Sequence, residues 1–173
     1  MDMEFQEIRG TDTERLATWF PAQTWPYHAQ PKTDPTWVRE RAAAGYFESP
    51  ETRAFLSCDA AGSIQAVVRV FDLADVTPLI DLRVADAARG TGVGTAVLRW
   101  VTGFVFSSIP NRHRLAGYTR ADNVGMRRVF ERCGYLREAH HRQAWRTSDG
   151  VLMDTFGYAV LRSEWLAANH ALP

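Results

Sequence analysis

Arg89-Gly90-Thr91-Gly92-Val93-Gly94-Thr95 joins an apolar, strand-like run, Leu79 to Val84, to a strongly periodic segment. In that segment Val93, Ala96, Val97, Trp100, Val101, Phe104 and Val105 recur at i, i+3, i+4, i+7, i+8, i+11 and i+12. That is the apolar stripe of a helix lying on a sheet. The glycines therefore sit where a strand turns into a helix. Backbone without Cβ atoms lets a ligand approach closely, and amides at a helix N-terminus favour an anion such as phosphate. Arg89 adds a fixed positive charge and a bidentate donor. The plainer alternative is a tight strand-to-helix turn with no ligand.

Two phosphate loops do not fit. A P-loop needs Lys and then Ser or Thr after its last glycine, and here Gly94 is followed by Thr95-Ala96. The dinucleotide fingerprint needs a third glycine three residues after the second. That position is Thr95 counted from Gly90 and Val97 counted from Gly92. Too little chain follows the turn for a doubly wound domain.

The pattern Arg89-x-x-Gly92-x-Gly94 resembles the acyl-CoA pyrophosphate loop of the GCN5-related N-acetyltransferases (GNAT superfamily). Downstream, Asn123 opens a segment that closes on Gly134-Tyr135, as in the Asn-initiated helix of that superfamily. The closing Trp145…Asp149-Gly150…Asp154…Tyr158…Leu161…Glu164-Trp165 resembles the branch that includes ribosomal-protein N-terminal acetyltransferases. The resemblance covers roughly residues 50 to 166 and, more loosely, the whole chain. It implies one acetyltransferase domain over residues 1–173. The implied fold is α/β, a mixed, mostly antiparallel twisted sheet with helices on both faces, in the order β-α-α-β-β-β-α-β-α-β-β.

Composition agrees with such a domain. A chain of 173 residues, 46% of them apolar, can bury a sizeable core. The formal net charge of zero gives no global field toward nucleic acid or an anionic membrane. The N-terminus has no apolar signal region and no run reaches membrane length, so the cytoplasm is the expected compartment. Cys58 and Cys133 fall at apolar positions and read as small core residues. His140 and His141 would face opposite sides of a strand, against joint metal ligation. No metal is expected.

Along the chain, residues 4 to 9 read as a first strand, and Thr11 with Glu14 as a capping box before Leu16, Trp19 and Phe20. A Pro-rich loop from Pro21 to Pro31 follows. Asp34-Pro35 starts a second helix that Gly45 stops. Ala54–Cys58 and Ile64–Phe71 form a hairpin. Arg114–Thr119 is a strand at the centre of the sheet, and Asn123–Cys133 is a helix with Met126, Val129, Phe130 and Cys133 inward. Leu136–Trp145 and Val151–Leu161 make a last hairpin around Asp149-Gly150.

Acetylating an amine requires a positioned thioester, a deprotonated amine and a stabilised oxyanion. The resemblance implies that backbone groups of Leu82 and Val84 hold the pantetheine arm and acetyl carbonyl. It assigns the pyrophosphate to Arg89, Gly90, Thr91, Gly92, Val93, Gly94 and Thr95. Asn123 would hold the pantetheine arm or a water, although an N-cap role explains it equally, and Arg128 would meet a CoA phosphate. The family's usual general acid, a Tyr seven residues after that Asn, is here Phe130, which has no proton to give; Tyr118 and Tyr135 are the substitutes at hand. Asp81 interrupts the apolar strand and is the expected general base; the competing role is an ion pair with Arg83 on the same strand face. Trp25, Tyr27 and His28 are expected to wall the acceptor pocket, with His28 a second candidate base.

The expected function is transfer of acetyl from acetyl-CoA to a primary amine, a protein N-terminus or a small molecule, by direct attack in a ternary complex. The expected protein is a monomer or homodimer without nucleic-acid or membrane partners. The alternative, encouraged by Phe130, is a non-catalytic CoA-binding or sensing module.

Overall fold

A computed structural model describes residues 3–170. Its strands are β1 (Glu4–Glu7), β2 (Glu48–Ser49), β3 (Thr52–Cys58), β4 (Ile64–Phe71), β5 (Leu79–Val84), β6 (Arg114–Arg120), β7 (Leu136–Arg146) and β8 (Leu152–Leu161). Its helices are α1 (Thr13–Trp19), α2 (Pro35–Ala43), α3 (Val93–Ser108), α4 (Val124–Arg132) and α5 (Arg162–His170). The strands form one open sheet in the order β1-β3-β4-β5-β6-β8-β7, with β2 paired to β3 outside that path. Every pairing is antiparallel except β5 with β6.

Period-two alternation divides the core into two layers. On one face Phe55, Ala66, Val68, Val70, Ile80 and Leu115 pack against Val97, Leu98, Val101 and Val105 of α3 and Phe130 of α4. On the other, Ala54, Leu56, Cys58 and Val67 pack against Leu16 and Phe20, Trp25 of the following loop, and Val38 of α2. Helices thus cover both faces, as expected.

Three local expectations change. Thr11 and Glu14 form no capping box. A 3-10 turn over Gly10–Asp12 precedes α1, and Asp12 accepts from the Arg9 amide at 2.8 Å. The short β2 was not anticipated. Nor was α5, where the Glu164 carboxylate accepts from the Leu161 amide at 2.8 Å and Trp165 packs on Phe106 with ring centroids 5.7 Å apart.

Candidate active site

A cleft of about 570 Å³ runs from the glycine turn to the loop between α1 and α2. At one end Gly92 is the N-cap of α3 with φ 97°, and Gly90 has φ 78°. These are conformations that residues with a Cβ rarely adopt. A Cβ built at either glycine would meet nothing within 4 Å, so the bare backbone faces open space rather than a packed neighbour. The first bond of α3 runs from the Ala96 amide to the Gly92 carbonyl, 3.1 Å. The Val93, Gly94 and Thr95 amides before it are therefore the orphan donors of a helix start. Thr91 spends its hydroxyl inside the turn, on the Ala88 carbonyl at 2.7 Å.

Arg89 does not point at this open face as expected. Its guanidinium bonds the Val84 carbonyl at 3.2 Å, the Thr24 hydroxyl at 3.3 Å, the Thr24 carbonyl, and Asp86 at 2.7 Å. Asp86 in turn accepts from the Thr24 amide at 3.1 Å. Arg89 therefore ties the glycine turn to the loop after α1. Arg128 is the exposed basic side chain that lines the cleft, with no ion pair among the described residues. Arg132, one turn further along α4, lines it too. It was missed, although its i, i+4 spacing from Arg128 was visible.

Midway, β5 and β6 separate. They run parallel and, among the described residues, pair only at Leu79 opposite Ala116. The Pro78 carbonyl accepts from the Ala116 amide at 3.1 Å. Backbone groups alternate sides along a strand, so those of Ile80, Leu82 and Val84 face the gap. The Val84 carbonyl, bonded to Arg89, agrees with that orientation. A wedge of unpaired strand edge thus connects the glycine turn to the loop after α1.

At the far end the loop after α1 is fastened by Arg89 to Thr24 and by Arg120 to the Pro26 carbonyl at 3.0 Å. His28 is fastened to Asp81, Nε2 to Oδ1, 3.1 Å. Tyr46, just beyond α2, donates its hydroxyl to Asp81 Oδ2 at 3.0 Å. Arg83, 7% exposed, brings Nε to 3.5 Å from the same oxygen. The Arg69 guanidinium lies 3.7 Å over the Tyr46 ring. Burial alone would raise the Asp81 pKa. The His28 hydrogen bond and the charges of Arg83, His28 and Arg69 outweigh it and hold the carboxyl far below the usual carboxylate range. Burial and the Asp81 charge push the Tyr46 hydroxyl up, keeping it a donor. Tyr46 was also missed; nothing in the sequence places residue 46 beside residue 81.

Asn123 caps α4. Its Oδ1 accepts from the Met126 amide at 3.1 Å and its Nδ2 donates to the Thr119 hydroxyl at 3.0 Å. Both ends of the amide are engaged within the protein, at the edge of the cleft. Phe130 is 1% exposed and stacks on Tyr158, centroids 4.8 Å apart. Gly117 makes room for it, since a Cβ there would lie 2.7 Å from Phe130 Cζ. Tyr135 is committed to the core, its hydroxyl 2.8 Å from that of Thr102, and burial raises its pKa. Tyr118 alternates with Gly117 on β6 and projects to the opposite face, 52% exposed and lining the cleft. Burial also lifts the Cys133 thiol to about 11, so neither Cys133 nor the buried Cys58 offers a nucleophile. No cluster of three or more metal-ligating side chains lies among the described residues.

A wedge between parallel strands, opened beside a glycine turn that starts a helix, lies at the middle of the mixed sheet. The family model for the acetyltransferase (GNAT) domain matches residues 2–136. The chain belongs to that family. Its fold is similar to that of spermidine N-acetyltransferase from Vibrio cholerae in complex with CoA and spermine. The TM-score is 0.79 at 15% identity, over 95% of this chain and 98% of the other. A chimera of that enzyme with hSSAT aligns with TM-score 0.82 at 16% identity, over 95% and 98%. The enzyme with manganese ions aligns with TM-score 0.77 at 15% identity, over 96% of each. No curated protein sequence matches the chain.

Proposed function

We propose that the protein transfers the acetyl group of acetyl-CoA to a small primary amine by direct attack in a ternary complex. The supporting observation is the continuity of the cleft. It runs from free helix-start amides, along the unpaired edge of Leu82 and Val84, to His28 and Asp81. The residues present suit acetyl-CoA. The Val93–Thr95 amides and the open faces of Gly90 and Gly92 suit the pyrophosphate, Arg128 a phosphate, and the β5 edge the amide-bearing pantetheine arm. Thr91 and Arg89 support this turn from within. Asn123 ties the start of α4 to Thr119 of β6 at the edge of the cleft.

The amine nitrogen attacks the thioester carbonyl, the C–S bond breaks, and the nitrogen loses a proton. Asp81 was the expected proton acceptor, but its charge environment makes a carboxylate of very low basicity. The same environment makes it a durable anchor for the His28 ring. With Nε2–H donating to Asp81, His28 Nδ1 is a buried acceptor without a protein partner, which an amine or a water at this end of the cleft would satisfy. We assign proton removal to His28 and its orientation to Asp81. With Phe130 in the acid position, Tyr135 engaged and Tyr118 projecting from the face of β6 opposite Phe130, the CoA thiol departs as thiolate, which a thiol pKa near 8.5 permits. The loop fastened by Arg89 and Arg120 walls the acceptor end with its backbone held in place, and we assign a small amine rather than a protein N-terminus to it.

Thiol release from acetyl-CoA in the presence of an amine panel tests this. His28→Gln should lower kcat by about 10²–10⁴-fold at pH 7 with acetyl-CoA affinity retained. Acetyl-CoA binding with no thiol release from any amine would instead establish a CoA-binding module.

A further inference from the structure

The acceptor end of the cleft carries little net negative charge. Asp81 is the one carboxylate among the described residues that line the cleft. Its charge is met by Arg83 at 3.5 Å on its own strand, by His28 from the loop, and by Arg69 stacked on Tyr46. The acids at the rim are also engaged: Asp122 accepts a bidentate pair from Arg120 at 2.7 and 3.0 Å, and Asp86 holds Arg89 at 2.7 Å. The other charged residues that line the cleft, Arg89, Arg128 and Arg132, are cations. An acceptor with several ammonium groups would find no free carboxylate along the cleft for its second and third charges.

Aromatic surface is abundant in the same place. Tyr27, Tyr118 and Trp145 line the same cleft as His28, and Trp25 backs the loop, its ring 6.0 Å from the His28 ring. Tyr118 passes close over Gly157, its cross-strand partner, where a Cβ would come within 2.9 Å of Cε1, so the glycine gives its ring room. Arg120 packs over Tyr27 at 5.4 Å, fixing that ring while occupying its cation-binding face. Such rings receive a flat apolar body by offset or edge stacking.

We propose that the acceptor is a primary arylalkylamine, one amine on a short arm from an aromatic ring, and not a polyamine. The proposal rests on the acetyl-transfer reading above. The amine reaches His28, and the ring lies among Tyr27, Tyr118 and Trp145.

The test compares 2-phenylethylamine and tryptamine with spermidine, both as acceptors in thiol release and as ligands of the CoA-loaded protein by calorimetry. The expected result is a kcat/KM for an arylalkylamine at least tenfold above that for spermidine. Tyr118→Ala should raise KM for the arylalkylamine several-fold, more than it raises KM for spermidine, and so narrow the preference. Spermidine turned over as well as the arylalkylamines would overturn the acceptor proposal and leave acetyl transfer standing. No turnover of any amine, with arylalkylamines still binding more tightly than spermidine, would sink acetyl transfer and keep the binding preference. No turnover and no such preference would overturn both.

Discussion

Gly92 and Gly94 lie two residues apart, yet the structure assigns them opposite responses to the same methyl group. At Gly92, φ is 97° and a Cβ meets nothing within 4 Å. Gly92→Ala therefore introduces backbone strain without a clash, about 1–2 kcal/mol for an L-residue held in the left-handed region. For a chain of this size that lowers Tm by about 2–8 °C. The methyl also enters the open space over the free amides. Displacing one charge-assisted amide–phosphate hydrogen bond, worth about 1.5–3 kcal/mol, weakens acetyl-CoA binding by about tenfold to hundredfold. At Gly94 the backbone is helical, and a Cβ makes ordinary contacts, 3.4 Å to Val129 Cγ2 and 3.6 Å to Val84 Cγ2. Gly94→Ala gains helix propensity of about 0.5–1 kcal/mol and should hold or raise Tm, with Kd for acetyl-CoA nearly unchanged. Calorimetric titration and thermal unfolding of both variants decide the matter. A Gly92→Ala protein that binds acetyl-CoA like the wild type would remove the phosphate-cradle role of this turn.

Gly117→Ala should destabilise by about 1–3 kcal/mol, because its Cβ would fall 2.7 Å from Phe130 Cζ and 2.9 Å from Ile80 Cγ1; an unchanged Tm would mean that the Phe130 ring relocates freely. Asp81, its carboxyl pKa lowered in the fold, contributes stability that is complete above its unfolded value near 3.9 and is lost as pH falls below it. The stability difference between wild type and Asp81→Asn should therefore narrow as pH falls below about 4; denaturant titrations that show no narrowing contradict the ion network. Asn123→Ala should lower stability by about 1 kcal/mol through loss of the cap. Asn123→Asp, which keeps the acceptor for the Met126 amide, should melt near wild type. A wild-type Tm for Asn123→Ala would show that the cap contributes nothing.

Local pattern was enough to place the elements that build the cleft. The i, i+3, i+4 stripe from Val93 marked α3, the glycines marked its start, and the Asp149-Gly150 turn marked the last hairpin, where Gly150 has φ 88°. Each is encoded by residues within a few positions of one another, so periodicity and turn chemistry reveal them. The motif pair at Arg89–Gly94 and Asn123–Tyr135 pointed to the family by the same route. Other features depend on contacts between residues far apart in sequence. Arg89 had the charge for a phosphate, but Thr24 and Asp86, brought beside it by the loop after α1, took its donors. Asp81 looked like a base beside one arginine. Tertiary packing added His28, Tyr46 and Arg69, and an anion surrounded by donors and cations loses basicity whatever its strand sequence. The separation of β5 and β6 beyond Leu79 and Ala116 is likewise a property of the whole sheet. Sequence by itself determined the elements that build the cleft and where a phosphate could be met. The fold decided which charges remain free, because electrostatic balance is set by distance in space and not by distance along the chain.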